Sequence, residues 1–122
     1  MPTTIIVLFK RRPGITNEEF INGCNTAVPQ FQSMGVFNQG KITRFNKFHV
    51  SLEQAKQLSS LKPDVAASSF DAMVELEVNS IQEFIGNFDQ SEYLEKVAGA
   101  QQKLIDPSSL QVMIGGYDVK FP

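Results

Sequence analysis

Residues Ser69 to Asn79 read SFDAMVELEVN, and this stretch decides the fold. Phe70, Ala72, Val74, Leu76 and Val78 alternate with Asp71, Met73, Glu75 and Glu77. Successive side chains of a strand point to opposite faces, so a period of two predicts a strand with one face packed on a core. Upstream, Gly40 to Ser51 (GKITRFNKFHVS) is rich in aromatic and β-branched residues and predicts another strand. The two are consecutive, so they should pair antiparallel as an extended hairpin. Further out, Thr3 to Lys10 (TTIIVLFK) predicts an opening strand, closed by the turn Arg11-Arg12-Pro13-Gly14. Leu110 to Val119 predicts a last strand, loosened by Gly115-Gly116.

Helices fill the intervals. Thr16-Asn17-Glu18-Glu19 has the form of a capping box, with Thr at the N-cap and Glu three residues on. Behind it Phe20, Ile21, Cys24, Ala27, Val28 and Phe31 fall at helical spacing with one buried face, and Pro29 is expected to kink or shorten the helix. Ser51-Leu52-Glu53-Gln54 is a second capping box and predicts a short helical turn between the two middle strands. Ser80-Ile81-Gln82-Glu83 is a third, opening a helix with Ile81, Phe84, Ile85 and Phe88 inward. A further helical stretch, Ser91 to Leu104, carries Tyr93, Leu94, Val97 and Leu104, and Asp106-Pro107 stops it. The order is β-α-β-β-α-β, an α+β ferredoxin-like pattern with helices on one face of a four-stranded antiparallel sheet. The other face also carries large apolar side chains, as Ile6 and Leu8 stand beside Ile5, Val7 and Phe9. In so short a chain a second copy, sheet facing sheet, is the expected cover, which predicts a homodimer.

A length of 122 residues fits one domain, 1–122. A net charge of −2 gives no basic field for nucleic acid. The single cysteine, Cys24, cannot form an internal disulfide, so the chain reads as cytoplasmic. No apolar run approaches the roughly 20 residues that span a bilayer, and Met1 to Phe9 lacks the basic start and cleavage site of a signal peptide, so no membrane association is expected.

His49 is the only histidine, and histidine alone has an unperturbed pKa suited to moving protons near neutral pH. If Phe48 pairs with Ala72, His49 faces Asp71 on one side of the sheet, where a carboxylate would fix the imidazole tautomer. Set against this is an ordinary strand histidine with a hydrogen bond and no chemistry. Tyr93 is a candidate hydrogen-bond donor to a substrate oxygen, or a packing residue. Arg44 and Lys47 could bind a carboxylate or phenolate, or lie on a solvated strand face. Cys24, on an apolar helix face, reads as a small hydrophobe rather than a nucleophile. Phe20, Phe31, Phe48, Phe84 and Phe88 are core by default, and some are expected to line an apolar pocket. One His, one Cys and scattered carboxylates make no metal set, and no phosphate loop or dinucleotide fingerprint is present, so no cofactor is expected.

Taken in order, these segments resemble the EthD domain family of the dimeric α+β barrel superfamily over nearly the whole chain. Phe9-Lys10-Arg11-Arg12-Pro13-Gly14-Ile15-Thr16 with Glu18-Glu19-Phe20 looks like the family's opening. Arg44-Phe45-Asn46-Lys47-Phe48-His49-Val50 resembles its second-strand signature, and Phe70-Asp71-Ala72-Met73-Val74-Glu75-Leu76 its third. Ser91-Glu92-Tyr93 and Asp106-Pro107-Ser108 resemble its final helix and exit. The chain departs from the family at Thr26-Ala27-Val28-Pro29, which lacks the usual histidine, and at Ala100, where an Asp often stands. Tyr93 departs likewise, since cyclase relatives carry a catalytic His near that position. The resemblance implies small homodimers that handle hydrophobic, aromatic or polyketide-like molecules, as cyclases, decarboxylases, dehydratases, lactone isomerases or cofactor-free monooxygenases. Three readings stay open: a cofactor-free lyase, cyclase, decarboxylase or isomerase of secondary metabolism, with His49 as acid or base helped by Asp71 and Tyr93; a cofactor-free monooxygenase; and a non-catalytic binding or stress-related homodimer.

Overall fold

The computed structural model describes residues 3–34, 41–87 and 98–120. The chain opens with strand β1 (Thr3–Phe9), helix α1 (Asn17–Gln32) and strand β2 (Ile42–His49). Helix α2 (Leu52–Leu61), strand β3 (Ala72–Val78) and helix α3 (Ile81–Asn87) follow. Helix α4 (Gly99–Leu104), a 3₁₀ turn (Pro107–Ser109) and strand β4 (Gln111–Gly115) close it. The capping box before α1 forms as the residues dictate: Glu19 N–H donates to Thr16 Oγ1 at 3.1 Å, and Thr16 N–H donates to Glu19 Oε1 at 3.4 Å. The other two N-terminal Ser residues cap their helices too, Ser51 accepting from Gln54 N–H at 3.2 Å and Ser80 from Glu83 N–H at 3.3 Å. Pro29 does not end α1, which runs on to Gln32, with the ring on the exposed side. Helix α4 ends at Leu104, and Asp106 caps the 3₁₀ turn that follows by accepting from Ser108 N–H at 3.0 Å.

The sheet has the order β2-β3-β1-β4, with antiparallel neighbours throughout. With helices packed on it in the order β-α-β-β-α-β, this is the ferredoxin-like α+β fold. The register of β2 on β3 differs by one residue from the expected one: Phe48 lies opposite Met73 and His49 opposite Ala72. A slip of one residue moves a side chain's partner to the other face, so His49 and Asp71 are not neighbours across the pair. A bulge between Ile42 and Arg44 also resets the alternation of β2. Downstream of it Phe45, Lys47 and His49 share a face with Ala72, Val74 and Leu76, while Arg44, Asn46 and Phe48 share the opposite face with Met73, Glu75 and Glu77.

Two buried clusters hold the helices to the sheet. Ile5, Ile42, Leu76 and Val78 of the strands enclose Met34 and Phe84. Phe9 and Ala72 enclose Phe20 from the first turn of α1, whose ring meets Phe9 edge-on at 6.0 Å between centroids. A fully buried ring of this size contributes about 1.5–3 kcal/mol. In α3 only Phe84 turns inward; Ile81 and Ile85 are exposed, contrary to the expected apolar face, and Phe88 lies outside the described residues. The sheet's other face holds Arg44, Asn46 and Phe48 of β2 and Met73, Glu75 and Glu77 of β3. Phe48 and Met113 are exposed there, 58% and 55%.

Candidate functional site

Between the helices and the sheet lies a cavity of about 1000 Å³. The inward rows of the strands supply its floor, with Val7, Phe45, Val74 and Leu76 among them. Cys24, Ala27, Val28 and Phe31 of α1 and Phe84 of α3 form much of its wall. This is a mainly apolar enclosure of the size that takes a small organic molecule. Phe31 and Phe45 sit with ring centroids 5.4 Å apart and planes tilted by 36°, an aromatic corner against which a flat ligand could stack.

Among the described lining residues the polar groups are few. His49 and Lys47 stand two residues apart on the inward row of β2, so both side chains project the same way. The imidazole packs edge-on against Phe20, with 6.0 Å between ring centroids, and small Ala72 beside it leaves room on the strand. Both His49 ring nitrogens are shielded, and neither has a hydrogen-bond partner among the described residues. Burial holds the His49 pKa below its ordinary value, and the charge of Lys47 pushes in the same direction. Lys47 Nζ donates to Asn25 Oδ1 of α1 at 2.9 Å, and burial lowers its pKa in turn. Burial raises the Cys24 thiol, with Lys47 opposing, which keeps the sulfur protonated and fits the packing role read from the sequence. At the rim, the guanidinium of Arg12 donates to the Gln102 carbonyl, and Asp106 Oδ1 accepts from Ser108.

The other sequence candidates lie elsewhere. Asp71 Oδ2 accepts from Arg11 N–H at 2.8 Å and so ties the turn after β1 to the start of β3. Arg44 is on the far face, with Nε 3.0 Å from Glu75 Oε1, Nη2 3.5 Å from Glu77 Oε2 and the Tyr117 ring beneath it. Phe48 is on that face too. Phe20 supports His49 from beneath, whereas Phe31 and Phe84 line the cavity. Tyr93 and Phe88 fall outside the described residues. The sequence reading did not single out Phe45 as a lining residue; its signal was the alternation Phe45-Lys47-His49, which the bulge at Ile42 obscures. Among the described residues no group of three His, Cys, Asp or Glu side chains could hold a metal ion. No described helix is long and apolar enough to cross a membrane.

No protein-family model matches the sequence, and no curated protein sequence matches it either. Solved structures do resemble it. A dimeric protein of unknown function and ferredoxin-like fold from Bacteroides fragilis is 11% identical, with a TM-score of 0.64 over 95% of this chain and 96% of that one. An ethyl tert-butyl ether d (EthD) family protein from Bacillus halodurans is 15% identical, with a TM-score of 0.58 over 97% of this chain and 100% of that one. SnoaB, a cofactor-independent oxygenase from Streptomyces nogalater, is 11% identical, with a TM-score of 0.61 over 99% of this chain and 97% of that one. At such identities the likeness shows the fold alone.

Proposed function

We propose that this protein is a cofactor-independent enzyme of small-molecule metabolism, which binds an aromatic or polyketide-type substrate in the cavity and uses His49 as its general base or acid. One observation carries the reading. The chain's only histidine lines an apolar cavity with both ring nitrogens shielded and, among the described residues, unpartnered. A shielded nitrogen without a partner is costly, by about 1–3 kcal/mol, so a structural histidine is usually bonded. An imidazole kept neutral by its surroundings is a proton acceptor near neutral pH. It could take a proton from a carbon or oxygen acid of the substrate and return it to another atom, a cycle shared by lyases, cyclases, decarboxylases and isomerases. The apolar walls would fold a flexible substrate and exclude water from the intermediate.

Asp71 and Arg44 take no part in this proposal, because their partners lie away from the imidazole. A second reading is oxygenation, in which the anion left by proton removal reacts with molecular oxygen; the likeness to SnoaB favours it at the level of fold. The test is turnover of a panel of phenolic and polyketide-type compounds by the parent protein and by His49→Ala. Loss of turnover in the variant supports the reading, and oxygen consumption coupled to turnover selects oxygenation. Equal turnover by the two proteins sinks it. We further propose that the working form is a homodimer, as the Bacteroides fragilis protein is described to be.

A further inference from the structure

We infer that the ligand of this cavity carries an anionic oxygen on its aromatic body, a carboxylate or an ionised phenol or enol, and that Lys47 selects it. The inference rests on the reading of the cavity as an aromatic-ligand site and names the ligand's class. Lys47 reaches from the sheet floor toward α1, where its single protein partner among the described residues is the neutral Asn25 carbonyl oxygen at 2.9 Å. An ammonium has three donors, so two remain. No carboxylate of the described residues lies within ion-pair distance of it. The acids of the adjoining described strands and rim are committed elsewhere. Glu75 and Glu77 hold Arg44 on the opposite face, Asp71 accepts from the Arg11 backbone, and Asp106 at the rim binds Ser108. Cys24 supplies no anion either, because burial keeps its thiol protonated. Among the described residues, then, nothing neutralises this cation in the wall of an apolar cavity, whereas a half-buried charge normally acquires an opposite one.

Geometry links this charge to His49. Residues two apart on one face of a strand are separated by roughly 6–7 Å. A ligand oxygen on Lys47 therefore puts ring or side-chain carbons a few bonds away beside the imidazole, with the Phe31–Phe45 corner flanking the body. An anion developing on that oxygen during proton removal would also be held by Lys47, in a setting where charge interactions are strong.

Matched probes test this by calorimetry at about pH 8, where an ordinary lysine is charged. The first pair is 2-naphthoate and 2-naphthamide; the second is 4-nitrophenol, ionised there, and 4-nitroanisole. The parent protein should bind the anion of at least one pair about tenfold or more tighter than its neutral partner, the scale of a charge-assisted hydrogen bond. Which pair shows the preference tells carboxylate from phenolate. Lys47→Met should abolish the preference while still binding the neutral probe, which shows that the variant is folded. Lys47→Arg should retain part of it, and His49→Ala all of it. Equal binding of both members of both pairs by the parent, or a preference surviving in Lys47→Met, overturns the inference and leaves the cavity reading standing. Failure of all four probes to bind overturns both.

Discussion

Two side chains, His49 and Lys47, set the chemistry expected of the cavity, and each has its own consequence. His49→Ala should lower kcat by about a hundredfold or more, the usual contribution of a general acid or base, without disrupting the fold. Burial and then Lys47 hold the imidazole pKa down, so the basic form persists to lower pH than for a free histidine. If it acts as a base, kcat/KM should rise with pH through a value below about 6.5 and then level off. Lys47→Met removes the smaller of the two causes, so the rising limb should move up in pH while staying below the ordinary histidine value. A limb that stays in place in that variant would show that the two side chains do not sense each other. The same shift has a sign for stability. The unfolded chain takes up the proton at the ordinary value and the folded one only below it, so stability should fall as pH drops between those two points. His49→Ala should remove that part of the slope. Asp71 is a different case. Its carboxylate holds the Arg11 N–H, so Asp71→Ala should cost about 1.5–3 kcal/mol in denaturant unfolding and leave the pH limb where it was.

At the level of elements, the starts of α1, α2 and α3 were written in the sequence and the sheet register was not. Thr16 and Glu19 are spaced to bond each other's backbone, and they do. Thr16→Ala should therefore lower stability by about 1 kcal/mol, read from the urea midpoint at an unchanged m-value. Gly23 is a second local control. A side chain there would run into Leu104 of α4, so Gly23→Val should loosen the contact of α1 with α4 and destabilise by about 1–3 kcal/mol. The alternation in Ser69 to Asn79 marked β3 and its inward residues because a strand buried on one face must alternate. Alternation says nothing of how far one strand is offset from the next. A two-residue turn fixes that offset, but β2 and β3 are joined through α2, and a connection of that length leaves both registers open. Hence His49 was expected beside Asp71 and lies beside Ala72. The bulge after Ile42 was equally hidden, and with it went the faces of Phe45 and Phe48: the aromatic expected to line the pocket points away, and the one passed over lines it. The position of His49 on the cavity wall therefore follows from pairing geometry, while its candidacy followed from residue type alone.

At the scale of the whole molecule, the described parts of α1, α3 and α4 pack on one side of the sheet. On the other side, Phe48, Met73, Leu8 and Gln111 form one row across the four strands, and Asn46, Glu75, Ile6 and Met113 form the next. Beside them Arg44 bridges Glu75 and Glu77, and the Tyr117 hydroxyl donates to Glu75. An apolar strip bordered by paired charges suits a two-fold contact, in which the same patch meets itself and each charge already has an intramolecular partner. A stable interface of this kind needs about 800 Å² from each copy, within reach of a four-stranded face. Strand β4 adds to the case, since every one of its residues is exposed in the single chain, Val112 and Ile114 on the helix side as well as Met113 on the open side. We therefore expect a dimer in sedimentation at micromolar concentration. Phe48→Glu and Met113→Lys should each shift it toward monomer, because each would bury an unpaired charge at the centre of the contact. Phe31→Ala, on the cavity wall, should leave the dimer intact while weakening aromatic ligands. A monomeric parent protein would remove the dimer from the proposal. A dimer that both open-face variants leave undisturbed would move the contact to another surface, with exposed Leu58 and Leu61 of α2 the next apolar residues to substitute.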